Sequence, residues 1–238
     1  NNYGGDITEI YKKTNKDMIK YHSEYYHPSN SVAFLYGDID YTRFLDLMNE
    51  YYKEYDKKEF ETNIDEYIVT PGLKEQVYEY PVSSGSDTEN KSYATYAFVC
   101  NGANVDDMVT FNYAAMLCNN PASQIQKDFK SKFPNSTLSC AISFDAPEPI
   151  FVFCAENINK KDDKEIKSMI DAEIRNLAEN KIDKSLQDSI ISEMRRSSVK
   201  SLDAGNVGTS IVPSLMRWYV SSNDLHYYFD FGEREYNN

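Results

Sequence analysis

The chain has 238 residues, 41% of them hydrophobic, and carries a formal net charge of −13 from 25 basic and 38 acidic side chains. That length is sufficient for one large domain, or for one domain with part of a neighbour. The acidic balance excludes general nucleic-acid binding and binding to anionic membranes, which need lysine and arginine to meet phosphates. It remains compatible with cationic partners, and no stretch approaches the roughly eighteen apolar residues of a membrane span.

The first sixty residues predict a helix, a strand and a second helix. A capping box that begins at Thr14 starts the first helix, and the turn residues at 28–30 end it. The apolar run over residues 32–36 has the length of a short strand. Asp40 is expected to cap a helix over residues 41–55, because apolar residues recur there at helical spacing.

A charged, weakly patterned stretch separates this segment from the rest of the chain. It closes with a Pro-Gly turn signal. Residues 61–72 are therefore interpreted as a linker between a segment over 1–60 and a domain over 73–238. At the start of that domain, the alternating residues 75–80 and the apolar run over 93–100 predict an antiparallel hairpin.

Two further strands and a series of helices follow the hairpin. The strands are expected at residues 138–144 and 150–155. Asn104 and Ser123 are expected to cap helices, and Pro213 is expected in the first turn of the last helix. The helices are predicted over residues 105–118, 123–132, 162–179, 183–202 and 210–220. Paired strands with helices between and after them predict an α+β fold.

Three collinear stretches share residues with one protein family. The first contains Gly4-Gly5-Asp6, the turn Tyr25-Tyr26-His27-Pro28-Ser29-Asn30-Ser31 and the run from Phe34 to Asp38. The second joins Leu117, Pro121-Ala122-Ser123 and the helix start from Gln124 to Phe129. The third comprises Asn206, Gly208, Pro213, Leu215, Trp218 and Asn223-Asp224-Leu225. Together they resemble the pitrilysin/insulinase family of zinc metallopeptidases, in its presequence-protease and falcilysin branch.

The resemblance implies an α/β-roll of the insulinase/mitochondrial-processing-peptidase type, a mostly antiparallel sheet with helices on one face. In the family, zinc is held by a His-x-x-Glu-His helix and a later glutamate, and these ligands precede the Gly-Gly-Asp turn. The chain has three histidines, His22, His27 and His226, and none begins that motif. The resemblance therefore implies an internal noncatalytic domain, of the second, C-terminal type, without catalytic or metal-binding residues. Zinc is expected in the parent protein.

Substrate proximity is expected at the turn between two predicted helices. The resemblance places this turn near the inner wall of a substrate chamber, with Asn119, Asn120 and Ser123 as the candidate residues. The N–H groups of a helix N-terminus can hold a peptide carbonyl or carboxylate. The alternative is a capped helix–helix turn that touches no substrate.

The histidines of the first segment are expected to be structural. His22 and His27 lie five residues apart, which is about 140° around a helix, so they do not share a face. A zinc site needs three or four convergent ligands. We therefore expect His27 to bond to carbonyls of the adjoining turn.

Two functions follow from these observations. In the first, the chain is part of a zinc-dependent oligopeptidase or metalloendopeptidase, where it forms chamber wall and hinge without the zinc site. In the second, it is a noncatalytic peptide- or partner-binding module of a degenerate peptidase homologue. The segment alone is expected to be inactive in either case.

The expected partners are the peptide substrate of the parent, the preceding zinc domain and the following half of the same protein. A dimer through an exposed surface of residues 1–60 is also expected to be possible, because a strand there would lack its neighbour. The four cysteines contain no Cys-x-x-Cys pair and lie in apolar stretches, which favours a reducing compartment. The cytoplasm is the expected location, with a mitochondrial or other organelle matrix as the alternative.

Overall fold

The computed structural model of the chain describes residues 7–60, 72–100, 105–143, 149–201 and 205–222. The chain divides into two compact units. The first comprises Asn1–Tyr67 with Gly208–Val212, and the second comprises Ile68–Val207 with Pro213–Asn238. Each unit is described below by itself.

The helices of the first unit are α1 (Ile7–Ile10), α2 (Asn15–Tyr25) and α3 (Tyr41–Tyr52), with a 3₁₀ turn at Pro28–Asn30. Helices α2 and α3 begin where the sequence predicts, whereas the short α1 is not predicted as a separate helix. The capping box at Thr14 is confirmed, because its backbone N–H donates to Asp17 at 2.9 Å and its hydroxyl accepts the Asp17 N–H at 3.3 Å. Asp40 caps α3 by accepting the Arg43 N–H at 3.0 Å. These bonds satisfy amide donors that a helix start leaves without a carbonyl.

The strand predicted over residues 32–36 is wrong. Val32 and Phe34 are half-buried in alternation with exposed neighbours, but the segment pairs with no strand of the described chain. Alternation reports which side chains face an interior, whereas a strand also needs a hydrogen-bonded neighbour. Within the same unit, Gly208 approaches Tyr36 so closely that a Cβ built on it would lie 2.3 Å from Tyr36 Cδ1.

The second unit contains a three-stranded antiparallel sheet. Its strands are β1 (Ser92–Val99), β2 (Thr137–Ser143) and β3 (Ile150–Ile158), in the spatial order β1-β3-β2. The register places Phe153 of β3 opposite Tyr96 of β1 and Cys140 of β2. The central strand β3 is also the most apolar of the three, as expected for a strand with neighbours on both sides.

The predicted hairpin between residues 75–80 and 93–100 is wrong, because residues 75–80 form no strand and β1 pairs with β3 alone in the described sheet. Residues 73–82 are described and belong to no strand. The Tyr80 hydroxyl donates to the Lys91 carbonyl, and its ring lies 5.8 Å from that of Tyr93. The segment therefore reaches the start of β1 through side-chain contacts, without the ladder of backbone hydrogen bonds that would make it a strand.

The remaining helices confirm the predicted ranges to within a few residues. The second unit contains α4 (Val105–Asn119), α5 (Gln124–Lys132), α6 (Asp163–Ala178) and α7 (Lys184–Ser201). Helix α8 (Val207–Ser222) is divided between the units, because Gly208–Val212 belong to the first. The predicted cap Asn104 lies outside the described residues. Helix α8 starts three residues before its predicted start, so Pro213 is inside the helix rather than in its first turn. Proline there supplies no backbone N–H to the helix ladder.

The core lies between one face of the sheet and helices α4, α5 and α6. Phe153 is fully buried, and its ring lies 5.4 Å from that of Phe151 and 6.5 Å from that of Phe98. Along β1, half-buried and exposed residues alternate, so the opposite face of that strand is open to solvent. The fold is therefore α+β, as predicted, with helices on one face of an antiparallel sheet. The buried cluster comprises Ala115, Cys118, Ile125, Phe129, Leu138, Cys140, Phe151, Phe153, Ala155, Ile158, Ile166 and Ile170.

A β-bulge at Asn157 extends the buried face of β3. The pairing with β1 shifts there, because Tyr93 lies opposite Glu156 while Ser92 lies opposite Ile158. Asn157 has a φ of 58°, a left-handed conformation that asparagine tolerates better than most residues. The Ser136 hydroxyl donates to the Asn157 carbonyl at 2.8 Å.

Two observations bear on the environment of the chain. Within the described ranges, no helix combines the length and apolar character needed to cross a membrane. The four cysteines all lie within the described ranges and form no disulfide, with Cys118 and Cys140 buried and Cys100 and Cys154 half-buried.

Candidate functional site

The turn from α4 to α5 contains the three residues predicted to lie near substrate. The Asn120 side-chain oxygen accepts the Ala122 N–H at 2.9 Å, and the Ser123 N–H donates to the Asn120 carbonyl at 2.9 Å. Ser123 then caps α5 by accepting the Gln126 N–H at 3.4 Å, as predicted. Ser123 is only 3% exposed. The geometry is that of a side-chain-stabilised turn leading into a capped helix.

The side-chain amide of Asn119 forms hydrogen bonds to strand β2 of the sheet. Its Nδ2 donates to the Cys140 carbonyl at 2.6 Å, and its Oδ1 accepts the Cys140 N–H at 2.8 Å. The Gln126 Nε2 bonds nearby to the carbonyls of Cys118 at 2.8 Å and Leu138 at 3.0 Å. Two side-chain amides therefore satisfy backbone groups along the edge of β2, where no strand of the described sheet lies alongside.

Asn120 and Ser123 line a cleft of about 710 Å³ within the second unit. Its walls are the α4–α5 turn, the middle of α6 and the turn into α7, and it is bordered by Lys127, Lys181 and Asp183. Asp183 accepts the Leu186 N–H at 3.0 Å and the Ser185 hydroxyl. The hydrogen bond from the Ser185 hydroxyl is the larger cause that lowers the pKa of Asp183, and the bond from the Leu186 N–H is the second. This carboxylate therefore already serves as the cap of α7. Two of the three residues predicted from the sequence, Asn120 and Ser123, therefore line the cleft, whereas Asn119 does not line it.

Glu173 is a buried carboxyl that sequence reasoning missed. It is 4% exposed and lines both this cleft and a second cavity of about 230 Å³ between α5 and α6. Its Oε2 accepts the Asn176 amide at 3.4 Å. Burial is the main cause that raises the pKa of Glu173; Asp128 raises it further, and the Asn176 bond opposes the shift. Such a group can hold a proton or accept hydrogen bonds from a cation.

A zinc ion does not fit the described residues. Nowhere in the described ranges do three or more histidine, cysteine, aspartate or glutamate side chains lie close enough to share a metal ion. The His27 ring accepts the Ser29 N–H at Nδ1, 3.1 Å away, and lies 5.4 Å from the Tyr55 ring. His27 is therefore structural, as predicted, but it accepts from an amide rather than bonding to carbonyls. His226 lies outside the described residues.

The buried thiols are equally unsuited to nucleophilic chemistry. A hydrogen bond with Cys140, followed by burial, raises the pKa of Cys118. Because the thiolate is the reactive form, a thiol held protonated in the core is inert.

Comparisons with known proteins agree with this description. Residues 12–194 match the family described as "Peptidase M16 inactive domain". The Protein HypA of Clostridium perfringens is 29% identical over 194 residues, which are 80% of this chain and 20% of that protein. The mitochondrial presequence protease of Gibberella zeae is 28% identical over 116 residues, 49% of this chain and 12% of that protein. That of Debaryomyces hansenii is 36% identical over 64 residues, 27% of this chain and 6% of that protein.

The fold has a counterpart among solved structures. A protease from Helicobacter pylori superposes with a TM-score of 0.70 at 20% identity, covering 98% of this chain and 55% of that one. At that identity the likeness shows the fold alone. The chain spans about a fifth or less of the curated relatives described above, and the family match covers most of its length. The chain therefore belongs to the peptidase M16 family, as its inactive, C-terminal-type domain.

Proposed function

We propose that this domain forms wall and hinge of the peptide chamber in a zinc-dependent oligopeptidase, whose zinc site lies in another part of the protein. The observation that carries the proposal is the match of residues 12–194 to the inactive domain of a peptidase family. Relatives of this segment are named presequence proteases. Water activated by zinc, with the motif glutamate as general base, would supply the chemistry of the whole protein. The domain itself contributes shape and hydrogen-bonding surface.

The first unit supports a role beside another domain. Every residue of α1, α2 and α3 is described, and none is buried. Large apolar side chains are exposed instead, among them Tyr11, Met18, Tyr41 and Tyr51. Exposed apolar side chains of this size would lose their contact with water at an interface with a neighbouring domain. We assign it to the preceding zinc domain; without that domain, a second copy of this chain would be the occupant.

Zinc content and hydrolysis provide the first test. The 238-residue chain alone should bind no stoichiometric zinc and should cleave no unstructured peptide. The adjoining upstream coding region should encode an intact His-x-x-Glu-His motif, and joining it to this chain should give zinc-dependent cleavage. Stoichiometric zinc in the tag-free chain alone would overturn the proposal. A degraded motif, with peptide binding but no cleavage by the joined protein, would select the alternative, a binding module of a degenerate homologue.

Surface variants provide the second test. Met18→Asp places a charge on the exposed apolar surface of α2, so it should weaken association with the upstream domain and lower cleavage by the separately expressed parts. Lys20→Asp changes an exposed polar residue of the same helix and is the control. Equal effects of the two substitutions would argue against an apolar interface.

We place the protein in the cytoplasm or an organelle matrix, because its four cysteines, all within the described ranges, form no disulfide.

A further inference from the structure

We propose that the cavity between α5 and α6 binds a primary alkylammonium group, such as a lysine side chain presents, with Glu173 and Asp128 as its carboxylate acceptors. The cavity encloses about 230 Å³. Three apolar residues, Ile125, Met169 and Ala172, contribute to its lining. The proposal concerns this cavity alone and does not depend on a role in a zinc peptidase.

The unsatisfied carboxyl of Glu173 is the first reason. Among the described residues, its hydrogen bonding amounts to the 3.4 Å contact from Asn176, which leaves Oε1 without a donor. Buried polar groups in folded proteins nearly always have partners, so one that lacks them calls for an explanation. A ligand that brings several N–H donors would provide the missing bonds.

The arrangement of the other polar groups selects the kind of donor. Asp128 lies on α5 and Glu173 on α6, so the two carboxylates approach the cavity from different helices. The Gln124 amide donates to Asp128 Oδ1 at 2.8 Å, which leaves Oδ2 for a ligand. A compact ammonium with three donors can meet acceptors on several sides, whereas the flat guanidinium needs them in one plane.

The apolar lining selects the rest of the ligand. Ile125 is buried, and Met169 has the flexible thioether that adapts to irregular shapes. Lysine and simple alkylamines bury their methylene stems along apolar surface while the charged end finds polar partners. Lys132 also lines the cavity, but its ammonium forms an ion pair with Glu165. The cavity is therefore lined by both apolar side chains and carboxylates, and the chain's own lysine is paired with Glu165.

Titration of the 238-residue chain with n-butylammonium chloride tests the proposal. Amide shifts in ¹⁵N spectra should saturate in α5 and α6 at physiological ionic strength, where diffuse attraction is screened. The neutral probe n-butanol has the same length and should cause no saturating shift. Identical responses to the two probes would overturn the proposal. An acetylated pentapeptide with a central lysine, compared with its norleucine analogue, distinguishes a peptide ligand from a small amine.

Charge-matched variants identify the acceptor. Glu173→Gln should weaken butylammonium binding at least about tenfold, because a charged hydrogen bond is lost. Glu193→Gln removes the same charge on α7, where Glu193 pairs with Arg196, and should leave binding unchanged. Asp128→Asn should give an intermediate loss. Wild-type affinity in Glu173→Gln, with native chemical shifts elsewhere, would refute the site.

Discussion

Replacing Asn119 by alanine should loosen the attachment of α4 to the sheet. The substitution deletes two hydrogen bonds to Cys140, of 2.6 and 2.8 Å. A net contribution of about 1 kcal/mol for each bond gives an expected loss of about 2 kcal/mol in the free energy of unfolding. Water can replace the lost partners in part, because Asn119 itself is exposed, so a loss well above this figure is not expected.

Urea denaturation followed by circular dichroism measures the effect. The midpoint should fall while the slope of free energy against urea stays unchanged, as expected when only stability changes. Hydrogen exchange of the Cys140 amide provides a local measurement, since its acceptor is removed. Both measurements should respond together in Asn119→Ala.

Two variants sharpen the test. Asn119→Asp keeps an acceptor for the Cys140 N–H, but it places a carboxylate oxygen against the Cys140 carbonyl, where the wild-type amide donates a hydrogen bond. It should therefore be at least as destabilising as Asn119→Ala. Asn120→Ala removes one bond in an exposed turn and should cost no more than about 1 kcal/mol. A wild-type midpoint with unchanged Cys140 exchange in Asn119→Ala would refute the assigned role of the carboxamide.

Three further predictions concern the core and the buried carboxyl. The pKa of Glu173 is raised in the folded state. Its contribution therefore lowers the stability of the fold as pH rises from the ordinary glutamate pKa through the raised one. In thermal unfolding, Glu173→Gln should therefore be as stable as wild type in acid and more stable than wild type at neutral pH. Phe153→Ala should cost about 3–5 kcal/mol in urea, because Phe153 is fully buried, whereas Tyr93→Ala on the open face should cost far less. Asn157→Val should cost about 1–2 kcal/mol, because a β-branched residue resists the left-handed conformation, whereas Asn157→Gly should be nearly neutral; equal stabilities would contradict the bulge geometry.

Local signals in the sequence predicted the helices well. The capping box at Thr14 and the cap at Ser123 involve residues three positions apart, and helices depend on such short-range bonds. Strand pairing is non-local, and there the prediction failed. Residues 75–80 carry the alternation of a strand, but a strand also needs backbone hydrogen bonds to a partner elsewhere in the chain, and in the described sheet β1 pairs with β3 alone. Alternation along one segment cannot reveal whether such a partner is met.

In the candidate site, too, the local features were predictable from the sequence and the long-range contacts were not. The family resemblance named Asn119, Asn120 and Ser123 as candidates; the local turn and cap signature explains the conformation of Asn120 and Ser123, and both line the cleft. Asn119 and Gln126 act across the fold on β2, and nothing adjacent in sequence signals those bonds. Glu173 did leave a signal, since it falls on the stripe of α6 that otherwise carries buried isoleucines. A charged residue at such a position indicates a buried polar site.

The bulge at Asn157 has a consequence for how the chain tolerates change in length. Side chains in a regular strand alternate, so residues three positions apart such as Ala155 and Ile158 would point to opposite sides of the sheet. The bulge at Asn157 absorbs one residue, and both side chains are buried. Deleting Asn157 would leave Ile158 two positions after Ala155, so regular pairing with β1 would keep Ile158 on the buried face. An alignment gap at this position in a related sequence should therefore coincide with an apolar residue in place of Ile158, whereas a related strand of full length without the bulge should carry a polar residue there.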